Sequence, residues 1–446
     1  MLRQSYRRPV VNNWNRAAQQ GPVSFARGIS AVGYYNRAIE SDELLRTLKG
    51  KARFTVLLGP PSSGKTALMQ HVASSIRSDG TVEFHPLTVD LRGVSSFEKR
   101  GFLNAFLRKG SKAGKLVKNY ETAFSQVEMS AAGLALKFGG IQFSDVPAGT
   151  IFDELADQLR SWSSLHGHRP PVLIIDEANA FQRTDDEKAI HSDNIITFKT
   201  MAAFLDFVVR VTKQEQTMHV VFTSSDSFFE NWLKKRVNPC HFQTLVLGDL
   251  TRKEAHDYYL HLINSHPYMS PKMKNDLTNL DFKVPFGMTG GRMFFIKAYV
   301  HQVYTSGYFD NRKYESCILC ICFKCNEKLN ISFLCTSAMH FEPVQNYIST
   351  MENDFTGDPK TYTAAQAIYV ARLLADSPGY LSYRELKKEL GIKVIEEMTS
   401  RNFLHYRPTS TFARDLIPFP LMPVLTASSE PARRAMEYLL EAHGKE

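Results

Sequence analysis

The sequence predicts an α/β fold, a doubly wound parallel sheet followed by further helices and a smaller winged-helix domain. Three observations predict the sheet. Strand-like apolar runs alternate with helical patterns through the first 250 residues, a glycine-framed loop joins the first strand to a helix, and a later apolar strand ends in an acidic pair. A chain of 446 residues has room for two or three domains of this kind.

The first strand, loop and helix occur in the order that a phosphate-binding loop requires. "VLL" at 56–58 reads as a short buried strand, residues 59–66 fit the pattern G-x-x-x-x-G-K-[ST], and "ALMQHVASSI" at 67–76 continues with helical spacing. Glycines at 59 and 64 allow the backbone to approach a phosphate chain closely. A glycine-rich turn without a ligand is the alternative, which the strand and helix on either side disfavour.

Each residue of this loop has an expected role. Lys65 is expected to reach the β and γ phosphates of a nucleotide, and the Thr66 hydroxyl to bind Mg²⁺. The amides at the start of the helix add the attraction of its dipole. The predicted phosphate-contacting residues are Gly59, Pro60, Pro61, Ser62, Ser63, Gly64, Lys65, Thr66 and Ala67.

A second element is needed to complete a metal site, and "PVLIIDEAN" at 171–179 supplies it. Its apolar run reads as a fully buried parallel strand, which delivers Asp176 and Glu177 to the edge of the sheet where ligands of open α/β folds bind. Asp176 is predicted to hold Mg²⁺ with Thr66, and Glu177 to orient and deprotonate an attacking water. The alternative is a strand that ends in acidic turn residues.

Further strands are predicted at 81–91, 219–226 and 244–250, with helical patterns between them. The tip of the 219–226 strand carries Ser224 and Ser225. Either serine is a candidate catalytic contact to the γ-phosphate or the attacking water, and an ordinary turn at the end of a strand is the alternative.

With these pieces in order, the sequence resembles the archaeal-ATPase branch of the AAA+/STAND P-loop NTPases, relatives of the origin-recognition ATPases. "YYNRAIESDELLRTL" at 34–48 is similar to the entry box of that family, and "FTSSDSFFENWL" at 222–233 to its sensor strand. "LTRKEAHDYYLHLI" at 250–263 is similar to the start of its helical lid, and "MTGGRMFFIKAYV" at 288–300 to its sensor-two region.

The resemblance implies the strand order 5-1-4-3-2, with the Ser224 strand between those of Lys65 and Asp176. It also implies ATP, and no N-K-x-D motif for guanine is seen. Asn36, Arg37 and Arg292 become expected nucleotide contacts. The family usually has a proline after the lid glycines where this chain has Arg292, so Arg292 is either a sensor-two cation or the cap of a surface helix.

Two basic segments have two interpretations each. Lys235 and Arg236 follow the sensor helix, where a finger that reaches a neighbour's ATP would lie, but a solvated turn is favoured. An insertion around 93–150 is rich in basic residues beside apolar ones at helical spacing, and a solvated helix face is favoured over a surface for membrane or nucleic acid. Its basic residues include Lys99, Arg100, Arg108, Lys109, Lys112, Lys115 and Lys118.

The start of the chain has a different composition from the rest. Six of the nine net positive charges are arginines within residues 1–39, which contain no lysine, aspartate or glutamate. This composition is typical of a mitochondrial transit peptide, so the predicted location is the mitochondrial matrix; a disordered basic arm of a cytoplasmic or nuclear protein is the alternative. No apolar run is long enough to cross a bilayer.

Five of the six cysteines lie between residues 317 and 335, too crowded for a disulfide scaffold. Cys317, Cys320, Cys322 and Cys325 offer four thiolates to zinc, but structural zinc sites usually draw ligand pairs from separate segments. A buried apolar segment, or sequence that the mature protein lacks, is the favoured interpretation.

The C-terminal third has the order helix, short strand, helix, helix, strand and wing, which is a winged-helix pattern. Its candidate recognition helix, "KVIEEMTSRN" at 393–402, carries Glu396 and Glu397, which phosphates would repel. A contact with protein is therefore favoured over DNA. "SSEPARRAMEYLLEAHG" at 428–444 predicts a final docking helix.

The predicted function is an Mg²⁺-dependent ATPase with slow turnover that acts as a nucleotide-driven switch on protein partners. A homo-oligomer in the ATP state is one option. The alternatives are an ATP-dependent maintenance factor for organellar DNA and a scaffold that binds nucleotide without hydrolysis. The predicted boundaries are 1–32 for the transit peptide or arm, 33–250 for the core, 251–312 for the lid, 313–345 for the cysteine-rich linker and 346–446 for the winged helix.

Overall fold

The computed structural model describes residues 35, 37–93, 148–166, 170–185, 192–306, 341–356, 361–410 and 412–443. The chain divides into two compact units, Met1–Asn36 and Arg37–Glu446, and every element below belongs to the second. Asn36, most of the basic insertion and all of the clustered cysteines lie outside the described residues, and so does the arginine-rich start before Tyr35.

A five-stranded parallel sheet forms the centre of the ATPase-like half of the chain. Its strands lie in the order β2-β3-β4-β1-β5, which is the predicted order 5-1-4-3-2 read from the other edge. The three central strands are buried along their whole length, as their apolar runs predict, whereas the two edge strands are partly exposed. The strands are β1 (Phe54–Leu58), β2 (Pro86–Asp90), β3 (Val172–Asp176), β4 (His219–Ser224) and β5 (Phe242–Val246).

Packing behind the sheet holds the central strands in register. Phe222 of β4 contacts the rings of Phe54, Phe181 and Phe204, with centroids 4.8, 5.7 and 6.1 Å away. These rings come from β1 and from elements that follow β3, and they pack on β4, which pairs in parallel with both strands. The carboxyl ends of the three strands therefore meet at one edge.

Helices cover the sheet and continue into the lid. The helices of the core are α1 (Ala38–Lys49), α2 (Lys65–Ala73), α3 (Ala148–His166), α4 (Ser192–Val209) and α5 (Phe229–Lys234). The predicted lid contains α6 (Arg252–Ser265), α7 (Pro271–Thr278), α8 (Lys283–Thr289) and α9 (Met293–Ser306). A capping box of Thr251 and Glu254 begins α6. Within the described part of the chain, every helix is too short or too polar to span a bilayer.

The C-terminal part combines helices with a small antiparallel sheet of order β6-β8-β7. The helix, short strand, two helices and strand follow one another as predicted, and α14 packs on α10 and α11. The elements are α10 (Glu342–Thr356), α11 (Ala364–Ala375), β6 (Leu381–Ser382), α12 (Tyr383–Leu390), α13 (Ile392–Ser400), β7 (Leu404–Arg407), β8 (Val424–Ala427) and α14 (Glu430–His443).

Candidate functional site

The glycine-framed loop runs from the end of β1 to the start of α2. Gly64 has a φ of 93°, which favours glycine. A side chain at Gly59 would bring its Cβ within 2.5 Å of the Leu247 carbonyl oxygen, so this position also requires glycine. Because α2 begins at Lys65, its first amides have no acceptor within the helix and lie next to the loop. This end of α2 is suited to bind an anion.

Lys65 lies inside the loop that it follows. Its Nζ donates to the carbonyl oxygens of Gly59 and Pro60 at 2.9 and 3.0 Å, and the residue is only 7% exposed. Burial lowers the pKa of Lys65 to about 8, although Glu177 opposes the shift. A phosphate would restore the solvation that this ammonium lacks.

Thr66 and Asp176 are brought together across the edge of the sheet. The Thr66 hydroxyl lies 2.9 Å from Oδ2 and 3.1 Å from Oδ1 of Asp176. Asp176 ends β3 and is 2% exposed. Thr223 of β4, which the sequence reasoning missed, also donates its hydroxyl to Oδ1 of Asp176.

The hydroxyl and carboxylate fit the predicted metal, since Mg²⁺ prefers oxygen ligands. A further polar group lies in the loop next to them. The Ser63 hydroxyl is fully buried and has no hydrogen-bond partner among the described residues. A buried hydroxyl without a partner is costly, so a phosphate oxygen here would relieve that cost.

The two candidate serines have different hydrogen-bond partners, and only one of them contacts Glu177. Ser225 donates its hydroxyl to Oε2 of Glu177 at 3.1 Å, whereas Ser224 donates to Oδ1 of Asn179 at 3.2 Å and accepts from the Asp226 amide. Glu177 has a φ of 55°, a left-handed conformation that is strained for a glutamate. The structure therefore places Ser225, and not Ser224, against the predicted base.

The two arginines predicted as nucleotide contacts make contacts within the protein. Arg37 is buried and donates to the carbonyl oxygens of Gly248 at 2.9 Å and Ser63 at 3.3 Å. It therefore joins the backbone of the phosphate loop to the segment after β5. Arg292 donates to both carboxylate oxygens of Asp249, at 2.9 and 3.2 Å. Its remaining guanidinium nitrogen donates to the Ser428 carbonyl oxygen at 2.9 Å. Arg292 thus joins the lid to the C-terminal part, and binding a phosphate would require it to exchange a partner.

The predicted finger residues are held differently. Arg236 lies over the Trp232 ring, 4.3 Å from its centroid, and donates to the Trp232 carbonyl oxygen. Lys235 is exposed. Arg236 therefore packs against α5, the helix before it, and only Lys235 fits the favoured interpretation of a solvated turn.

A cavity of about 550 Å³ opens beside the tip of the loop. Pro61 and Ser62 line it on the core side, Arg292 and Phe295 on the lid side, and residues of α10 complete it. Its volume lies in the range of small-molecule sites. The lid and the C-terminal part are therefore both in reach of a ligand held by the loop.

Arg92 is a second residue that the sequence reasoning missed. Its guanidinium Nη2 donates to Oδ2 of Asp176 at 3.0 Å, and Arg92 lies just after β2, the strand next to that of Asp176. The register pairs Asp90 of β2 with Asp176 of β3, so both strands end at the same edge. A cation directly after the strand predicted at 81–91 was the available signal.

The family model of an ATPase domain predominantly from Archaea matches residues 34–256, which is half of the chain. No curated protein sequence matches the chain.

Several solved structures have a similar course of the chain. A Walker-type ATPase of Pyrococcus abyssi is 13% identical, with a TM-score of 0.48, and the match covers 91% of this chain and 96% of that one. Cdc6p of Pyrobaculum aerophilum is 11% identical, with a TM-score of 0.35 and coverage of 93% and 97%. PCH-2 of C. elegans is 16% identical, with a TM-score of 0.33 and coverage of 61% and 63%.

Proposed function

We propose that this chain, which belongs to the family of ATPase domains found predominantly in Archaea, binds ATP with Mg²⁺ and hydrolyses it slowly as a switch on protein partners. One observation carries the proposal. Thr66, the last residue of the phosphate loop, and Asp176, at the end of a buried strand, meet within hydrogen-bond distance beside Lys65. Phosphate and metal would therefore be held at one point.

The roles follow from the chemistry of the groups at this point. The amides at the start of α2 and the Lys65 ammonium would bind the phosphates, and Thr66 and Asp176 would hold the ion. Mg²⁺ supplies positive charge that offsets the charge of the phosphate oxygens. Glu177 would accept a proton from water, and its hydrogen bond with Ser225 would orient it.

Three contacts near the loop support slow turnover. Lys65 is bound to carbonyl oxygens of its own loop, Arg292 is bound to Asp249, and Arg92 is bound to Asp176. Lys65 and Arg292 would have to exchange a protein partner for a ligand group, and Arg92 would have to release Asp176. Such rearrangements accompany binding and release, which limit the rate of many enzymes.

The switch is supported by contacts between the sensor strand and the C-terminal part. Just after β4, the Ser227 hydroxyl hydrogen-bonds to Nδ1 of His405 at 2.6 Å, and both are buried. Phe228 stacks on Tyr406 with centroids 4.9 Å apart. A shift of Ser225 on loss of the γ-phosphate would reach β7 through two intervening residues.

The surface of the C-terminal part supports a protein partner over DNA. We interpret this part as a winged helix, with α13 as the candidate recognition helix. The exposed positions of α13 include Lys393 and Glu396, and Arg401 just after it pairs with Asp354 at 2.6 Å. A DNA reader would present cations here without an exposed carboxylate beside them. We retain the mitochondrial matrix as the proposed location, on the composition of the first 39 residues alone.

The first experiment measures binding of a fluorescent ATP analogue to the full chain with and without Mg²⁺. Lys65→Ala should abolish binding, because the phosphates lose the only ammonium within the described loop. Lys272→Ala, at an exposed position of α7, is the matched control and should bind like the wild type. Equal binding by wild type and Lys65→Ala would contradict a nucleotide site at this loop.

A second experiment separates hydrolysis from binding alone. Glu177→Gln keeps the size of the side chain but removes its basicity, so phosphate release should fall at least about 100-fold while nucleotide still binds. Unchanged turnover would show that Glu177 is not the base. Partners captured by Glu177→Gln with ATP, and absent with Lys65→Ala, would be candidates for the switched protein.

A further inference from the structure

Arg92 binds the carboxylate that the proposed function assigns to the metal. Its guanidinium Nη2 lies 3.0 Å from Oδ2 of Asp176, and the Thr66 hydroxyl donates to the same oxygen at 2.9 Å. We propose that Arg92 is a positioning residue. In the nucleotide-free protein it occupies Oδ2 of Asp176, and it competes with Mg²⁺ for the Asp176 carboxylate. This inference rests on the proposed function of the site.

The buried position of Asp176 explains why a cation is needed there. The Asp176 side chain is 4% exposed, and a buried carboxylate without a compensating charge is costly. Its other hydrogen bonds come from the neutral hydroxyls of Thr66 and Thr223 and from the Glu177 amide. Among the described residues, Arg92 supplies the positive charge that hydrogen-bonds directly to Asp176.

Arg92 is also placed to leave at low cost. Its side chain is 58% exposed, so the guanidinium can turn into water. Asp90 offers it a second carboxylate, with Nε 3.1 and 3.2 Å from the two oxygens, and also accepts the Arg92 backbone amide at 2.9 Å. Arg92 would therefore keep an ion pair after it releases Asp176.

When nucleotide and metal bind, the positive charge that neutralises Asp176 changes from Arg92 to Mg²⁺. In the empty state Arg92 neutralises Asp176, and in the loaded state the metal does so. A competitor of this kind lowers the apparent affinity for metal and stabilises the empty site. A partly exposed ion pair contributes up to about 1 kcal/mol, so its loss should tighten metal binding roughly fivefold.

The test is a titration of the full chain with Mn²⁺, followed by electron paramagnetic resonance, at a fixed concentration of a non-hydrolysable ATP analogue. Arg92→Gln should lower the apparent Kd for Mn²⁺ about fivefold. Arg77→Gln is the matched control, since Arg77 pairs with Glu83 at 3.2 Å and its side chain is 38% exposed. Arg77→Gln should leave the Kd unchanged.

The outcomes separate the inference from the proposed function. Unchanged or weaker Mn²⁺ binding by Arg92→Gln, with binding by the wild type intact, overturns the competition and leaves the proposed function standing. If neither the wild type nor Arg92→Gln binds Mn²⁺ with the analogue, the proposed metal site fails and the inference fails with it.

Thermal unfolding gives an independent readout. Without nucleotide and metal, Arg92→Gln should unfold at a lower temperature than the wild type, because Asp176 loses its charged partner. With Mg²⁺ and the analogue, the difference should disappear. A deficit that persists in the loaded protein would mean that Arg92 only stabilises the fold.

Discussion

The phosphate loop has two neighbouring regions that are built differently. The metal edge, defined by Thr66, Asp176, Glu177, Ser225 and Arg92, is held by hydroxyl groups and by one arginine that is largely exposed. The docking edge consists of residues 247–250 together with charged side chains of the core, the lid and the C-terminal part. These side chains bind residues 247–250 or each other. Those side chains are Arg37, Arg292, Arg407 and Asp415.

The difference lies in the cost of exchanging partners. At the docking edge, Arg407 and Asp415 form two hydrogen bonds of 2.6 and 2.7 Å, and their side chains are only 7% and 9% exposed. Breaking such a pair leaves a buried charge, whereas the hydroxyl and arginine contacts of the metal edge can be exchanged for ligand groups. A response to nucleotide should therefore begin at the metal edge, and the docking edge should move as a unit.

The largest expected effect comes from breaking the docking edge. Asp415→Asn leaves the buried Arg407 guanidinium without its counter-charge and should lower the free energy of unfolding by about 3 to 5 kcal/mol. Urea unfolding of the full chain measures this. Asp157→Asn is the control, since the Asp157 side chain is 57% exposed and its pairs should contribute less than about 1 kcal/mol.

If Asp415→Asn does not fold, a double variant tests the same ion pair. Arg407→Met with Asp415→Leu removes both charges and replaces them with apolar groups, so it should recover most of the lost stability. Equal losses for Asp415→Asn and Asp157→Asn would mean that the two regions do not differ in the way described.

The next effect acts on β4, which ends at the metal edge beside β3. His219 begins this strand, is fully buried and accepts a hydrogen bond from the Arg53 amide through Nδ1 at 3.2 Å. Burial lowers the pKa of His219 from 6.5 to about 4. Between these values the unfolded chain binds a proton that the folded chain does not, so stability should fall as the pH falls, by at most about 3 kcal/mol.

Urea unfolding at several pH values between 7 and 4 measures this slope. His219→Asn should flatten it, because the replacement does not titrate, whereas His261→Asn, at an exposed position of α6, should leave it as it is. An unchanged slope in His219→Asn would assign the acid sensitivity to other groups. Loss of nucleotide binding over the same pH range would show that β4 supports the metal edge.

The smallest effect concerns the metal edge alone. Ser225→Ala removes the hydroxyl that donates to Glu177, so steady-state phosphate release should fall about tenfold with little change in nucleotide affinity. Ser224→Ala is its neighbour control, because the Ser224 hydroxyl faces Asn179 instead. A larger loss of turnover in Ser224→Ala would reverse the assignment of the two serines.

Much of the fold and part of the candidate site could be predicted from the sequence. The strand order agrees with the order that the family resemblance implied. Thr66 and Asp176 lie within hydrogen-bond distance, because local patterns place one in the first turn of α2 and the other at the end of β3. The final strand was predicted at 244–250, but β5 is Phe242–Val246. Residues 247–250 instead form an irregular segment against which the loop and Arg292 pack, a role that requires distant partners.

Other parts of the site depend on contacts between distant segments. Thr223 reaches Asp176 because β4 is inserted beside β3, and Arg92 reaches it because β2 is the next strand along. Arg37 was expected to contact nucleotide, and in the structure it binds the Ser63 and Gly248 carbonyl oxygens. A residue type alone does not reveal which of several acceptors will lie nearest.

By itself, the sequence determined that a phosphate loop, a buried acidic strand end and a helical lid are present in this order, because glycine conformation and apolar periodicity act over a few residues. Only the tertiary structure decided which serine faces Glu177, that an arginine pairs with Asp176, and that β7 lies against the end of β4. These contacts join residues separated by up to 178 positions, and sheet register and packing select them.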